Sequence, residues 1–77
     1  MTRLTGRILL AQEGRFDLLL DAGRAEVFLL APGSGVEPAD LADLQRRQAQ
    51  VAVEAVAASG LIARLAKSVT ELRETAA

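Results

Sequence analysis

Between Leu4 and Ala31 the apolar positions fall into three short runs separated by turn residues. In "LTGRILLAQ" (Leu4–Gln12), Leu4, Ile8 and Leu10 alternate with Thr5 and Arg7, the period-two signature of a strand. "EGR" (Glu13–Arg15) predicts a tight turn with Gly14 supplying the left-handed backbone. Phe16–Leu20 predicts a second strand, with Phe16, Leu18 and Leu20 on one face and Asp17 and Leu19 on the other. "DAGR" (Asp21–Arg24) predicts a second turn. Ala25–Ala31 predicts a third strand, which Pro32, Gly33, Ser34 and Gly35 end. The alternation is incomplete. Leu18, Leu19 and Leu20 are consecutive, and so are Val27, Phe28, Leu29 and Leu30. A sheet with one wet face alternates, so these strands carry a second apolar face. Leu9, Ala11 and Leu19 belong to it, together with either Val27 and Leu29 or Phe28 and Leu30.

From Val36 the period changes. In "VEPADLADLQRRQ" (Val36–Gln48), Pro38 suits a first helical turn and Leu41 and Leu44 form a narrow stripe. Glu37, Asp40 and Asp43 lie towards the positive end of the helix dipole, and Arg46 and Arg47 towards the negative end. One short helix is expected. The last third carries two patterns at once. Val51, Val53 and Ala55 alternate with Ala52 and Glu54 as in a strand, and Leu61, Ala63 and Leu65 then point inward on a fifth strand. The same residues also fit helices, through Leu41, Leu44, Gln48, Val51, Ala55 and Ala58, and through Leu61, Leu65, Val69 and Leu72. The expected fold is therefore mainly β with one helix, a small five-stranded barrel in the order β-β-β-α-β-β over residues 1–69. The alternative is a three-stranded antiparallel meander covered by two helices. Residues 70–77, "TELRETAA", read as a polar tail or a short final helix.

Strand, strand, strand, helix, strand, strand within about 70 residues is the order of the OB-fold, a partly open five-stranded barrel. The chain resembles a minimal OB domain, and its layout is similar to the stand-alone barrel of the bacterial translation-initiation-factor-one family. It also resembles short bacterial proteins that open with a "TGRILLAQEGRFDL"-like strand pair and continue through "PADLADLQRRQAQVAV". The resemblance spans about Arg3 to Val69 and implies a fold more than a function. The nucleic-acid-binding members combine a basic groove with aromatic side chains on which bases stack. Here Phe16 and Phe28 are the only aromatics, and nine Lys and Arg residues are balanced by ten Asp and Glu residues.

Composition removes several chemistries. Without Cys there are no disulfides or thiolate metal sites. Without His the commonest general base and metal ligand is missing. A net charge of −1 provides no pull towards nucleic acid or anionic membrane. No apolar segment approaches the ~20 residues of a membrane span, and no secretory h-region is visible. A cytoplasmic protein without metal or cofactor is expected.

Each possible site has a plainer reading beside it. "APGSG" (Ala31–Gly35) precedes a helix but lacks the Lys of a phosphate-binding loop. Asp40 and Asp43 share a helix face but are accounted for by capping and the dipole. Asp17 and Asp21 flank a strand end and read as solvated. Arg46 and Arg47 read as dipole partners. Ser59, Ser68, Thr5 and Thr70 have no base to activate them. Glu54 reads as an outward, solvated strand position.

These observations lead to a non-enzymatic interaction module, a small accessory subunit or adaptor. Its contact surface is expected among Leu9, Leu19, Val27, Phe28 and Leu29, covered by a protein partner or by another copy of the chain. The alternative is a barrel that binds single-stranded nucleic acid through Arg15, Phe28, Arg46 and Arg47, a reading the charge balance disfavours.

Overall fold

A computed structural model describes residues 2–57 and 63–72. Strands β1 (Thr2–Gln12), β2 (Arg15–Leu20) and β3 (Ala25–Leu30) form the expected meander. Helix α1 (Pro38–Arg46) follows, then β4 (Gln50–Ala57) and β5 (Arg64–Glu71). The five strands close into a barrel in the order β1-β2-β3-β5-β4. All neighbours are antiparallel except β3 and β5, which run parallel over Phe28–Leu30 against Arg64–Ala66. This is an OB-like barrel.

The core is aliphatic around one aromatic pair. Phe16 and Phe28 are register partners across β2 and β3. Their rings stack at 5.3 Å between centroids, inclined by 18°. Ile8, Leu18, Val51 and Val53 surround them with no exposed surface, and α1 adds Leu41 and Leu44. Truncating either Phe to Ala would cost about 3–5 kcal/mol at such a site.

The helical reading of the last third fails at Gln48. The backbone there is left-handed, with φ of 54°. The Gln48 amide donates to the Gln45 carbonyl at 3.1 Å and the Ala49 amide to the Leu44 carbonyl at 3.1 Å. That bonding pattern caps and ends a helix. Gln48 therefore ends α1 instead of continuing its stripe, and Val51, Val53 and Ala55 turn inward as a strand.

Five local expectations are corrected. Leu10 is half exposed, because β1 bulges between Ile8 and Leu10 and both Leu9 and Leu10 then lie opposite Asp17. The bulge shifts the alternation by one residue, so Ala11 packs against the core instead of the outer face. On β5 the inward residues are Ala66 and Val69, not Leu65 or Ala63. The β4–β5 register slips beside Lys67, which explains the change of parity; Leu61 lies outside the described residues. In the first turn it is Glu13, not Gly14, that takes positive φ, 54°. Finally, β5 runs on through Thr70 and Glu71, the first residues of the expected tail. Among the described residues no helix is long and apolar enough to cross a membrane.

Candidate protein-interaction face

Two devices on β1 shape the outer surface. Gly6 is the first. Around it β1 pairs with both β2 and β4. A Cβ at this position would lie 2.1 Å from the Leu19 carbonyl oxygen, so only glycine allows the strands to approach this closely. The second is the bulge at Leu9 and Leu10. Gln45 of α1 stabilises it from the side: its Oε1 accepts from the Ala11 amide at 3.1 Å, and its Nε2 donates to the Leu9 carbonyl at 3.2 Å. One side chain thus satisfies two backbone groups that the distorted ladder leaves over.

With β1 held this way, the register arranges the outward side chains in rows. One row crosses Arg7, Leu19 and Ala25; the next crosses the Leu9–Leu10 bulge, Asp17 and Val27. A third crosses Arg15, Leu29 and Leu65 and reaches Val56 on β4. Leu9, Leu10 and Leu19 are exposed by 47%, 49% and 38%, respectively. Val27, Leu29, Leu65 and Val56 are half-buried. The face is apolar along its flanks, with Arg15 and Asp17 on its central strand.

Leu9, Leu19, Val27 and Leu29 thus lie where the sequence reading put them, on the outside. Phe28 does not. It is fully buried against Phe16, so it neither lines a contact surface nor offers a ring to a nucleic-acid base. Strand parity settles the choice left open in the sequence: Phe28 is inside, Val27 and Leu29 outside. Leu10 and Leu65 also belong to the face, against the inward position that plain alternation predicts. Their position depends on two bulges that alternation does not encode.

Arg15 lies on the face, whereas Arg46 and Arg47 are occupied at the end of α1. Arg46 is hydrogen-bonded to Asp43. Arg47 donates to Asp43 at 2.9 Å and, through both terminal nitrogens, to Glu71 at 2.8 and 3.0 Å. This fork raises the Arg47 pKa, with the Glu71 bonds the larger cause, and holds the Asp43 carboxyl below its ordinary value. Asp40 caps α1 by accepting from the Glu37 amide at 2.9 Å.

Asp21 is a structural group as well. It accepts from Thr5 Oγ1 at 2.6 Å and from Gln50 Nε2 at 2.8 and 2.9 Å. The Thr5 bond is the largest cause of its lowered pKa, followed by the Gln50 bond. Glu26 shares the inward parity of Phe28. Its carboxylate lies 3.4 Å from Arg24 and 3.5 Å from Arg64.

Among the described residues no three carboxylates gather as metal ligands. A depression beside Leu10, Gln12, Arg15, Phe16 and Asp17 has a volume of about 30 Å³, room for a water molecule, and hollows of about 340, 520 and 360 Å³ lie beside Asp21 and Gln50, beside Gln12, Glu13 and Arg15, and beside Glu26 and Arg64. Comparisons of the chain with protein-family models, with curated proteins and with solved structures find no match.

Proposed function

We propose that this chain is a non-enzymatic protein-interaction module, a small accessory subunit or adaptor that binds through the outer face of β1, β2, β3 and β5. The observation that carries this reading is the bulged register, which sets Leu9, Leu10, Leu19, Val27, Leu29 and Leu65 outward together. An exposed apolar patch of this kind marks a protein contact. A bacterial, cytoplasmic setting belongs to the same proposal and rests on the resemblance to short bacterial proteins and to the initiation-factor-one layout.

Single-stranded nucleic acid is the competing ligand. It has lost its stacking group, because both aromatics of the chain are buried. Stacking supplies much of the affinity of OB-type barrels for bases. Arg46 and Arg47 are also already paired with carboxylates.

The test is affinity capture with tagged wild type and a Leu19→Lys variant, with and without nuclease. Stoichiometric capture of one protein is expected to survive nuclease and disappear with Leu19→Lys. Salt-dependent binding to oligonucleotides, unaffected by Leu19→Lys, would overturn the proposal.

A further inference from the structure

The charges on the outer face are its own complement. Arg15 and Asp17 lie two residues apart on β2, with the same outward parity and opposite sign. Two residues along a strand is about 6.8 Å. Among the described residues neither side chain has an ion-pair or hydrogen-bond partner. Leu10 and Val27 flank Asp17, and Gln12 and Leu29 flank Arg15.

We infer that the occupant of this face is a second copy of the chain, packed face to face about a twofold axis. This rests on the interaction reading above. Place the axis between the two faces, perpendicular to β2 and level with Phe16. Arg15 of each copy then lies over Asp17 of the other, and Leu29 lies over Val27. The sheets are about 10 Å apart in such packing, within reach of an Arg and an Asp extended towards each other. An isologous contact needs a patch that is its own complement; here charge meets opposite charge on β2 and apolar meets apolar on β3, while Leu10 on β1 lies over Gln12. A partner with one sign of charge would leave either Arg15 or Asp17 against a like charge, at a cost in affinity. The chain's net charge of −1 sets no long-range repulsion between copies.

Size sets the strength. Four strands at about 4.8 Å and five residues at about 3.4 Å cover roughly 300 Å². A stable interface needs about 800 Å² per partner. The dimer is therefore weak, at the transient end of protein interfaces, and its two ion pairs weaken further with salt.

Sedimentation equilibrium from about 1 to 500 μM reads this directly, using wild type, Arg15→Asp, Asp17→Arg and an equimolar mixture of the two variants. Wild type is expected to dimerise. Each variant alone faces like charge with like charge and loses at least about tenfold in affinity. The mixture recovers a one-to-one heterodimer, because each variant supplies the charge the other needs. Both substitutions are at exposed or half-exposed positions, and circular dichroism confirms that each variant is folded. A wild-type dimer that both variants retain overturns the inference. So does a wild type that stays monomeric to 500 μM. In the monomeric case Leu19→Lys separates the two ideas. Loss of a protein captured by wild type removes only the self-pairing. Unchanged capture removes the interaction reading as well.

Discussion

At position 6 the barrel admits nothing larger than hydrogen. The atom a Cβ would strike is the Leu19 carbonyl oxygen, part of the backbone of the neighbouring strand, so no rotamer change relieves the clash. Gly6→Ala is expected to cost about 2–3 kcal/mol, a fall in Tm of about 10–20 °C for a domain this small, read by thermal unfolding. Glu13 presents the opposite case. It has an exposed side chain and a left-handed backbone, which costs about 1 kcal/mol for a residue with a Cβ. Glu13→Gly removes that strain and returns part of the gain as entropy of the unfolded chain. A net stabilisation of about 0.5 kcal/mol in the urea midpoint is expected. Only part of this was legible beforehand. The "EGR" turn is visible in the sequence, but which of its residues carries positive φ depends on the ladder between β1 and β2. Gly6 stands in a strand pattern, and its role appears only once β1 is seen to serve two neighbours.

The elements themselves were largely legible, because turn chemistry and period agree for β1, β2, β3 and α1. The ambiguous region was residues 51–69, where the Ala, Val and Leu positions fit either period. What decides it is the termination of α1 at Gln48, a residue whose identity does not announce a helix end. The outer face was legible in outline: a strand that alternates leaves Leu19 outside whatever the register. It was illegible at the bulges, since one extra residue on β1 or β5 reverses the facing of everything beyond it. The β1 bulge depends on α1 through Gln45. Gln45→Leu is expected to strand the Ala11 amide and the Leu9 carbonyl and to destabilise by about 1–2 kcal/mol. Gln45→Glu keeps the acceptor for Ala11 and is expected to fall between the two. Equilibrium denaturation of the three proteins orders them, and equal stability of all three would contradict the role given to Gln45.

Across the whole molecule, ionisation ties distant segments together. Asp21 joins the second turn to β1 and β4, and Asp43, through Arg47, joins α1 to the end of β5. Both carboxyls have lowered pKa values in the folded protein. The unfolded chain therefore binds more protons than the native state around and below the ordinary carboxylate pKa of about 4. The stabilisation is complete above that pH and is lost as pH falls through the lower, folded values. Asp21→Asn is expected to be less stable than wild type at pH 7, with the difference shrinking towards pH 2. Urea midpoints at pH 7, 4 and 2.5 check the sign, and a gap that widened on acidification would reverse the assignment.

The parallel seam between β3 and β5 makes barrel closure a late event in folding. The β1–β2, β2–β3 and β4–β5 pairings join neighbours along the chain, whereas closure needs two long-range seams, β1 with β4 over six register pairs and β3 with β5 over only three, residues near 28 against residues near 64. Entropy must be given up over that long loop before the seam returns any bonding. The hairpins can therefore exist as an open, curved sheet with the β3 edge bare, and the native barrel should revisit that form by local opening. The Ala31 amide, which donates to the Ala66 carbonyl at 2.9 Å, reports on it. It should exchange with solvent deuterium faster than the amides of Leu18 or Val53, which exchange only when the whole molecule unfolds.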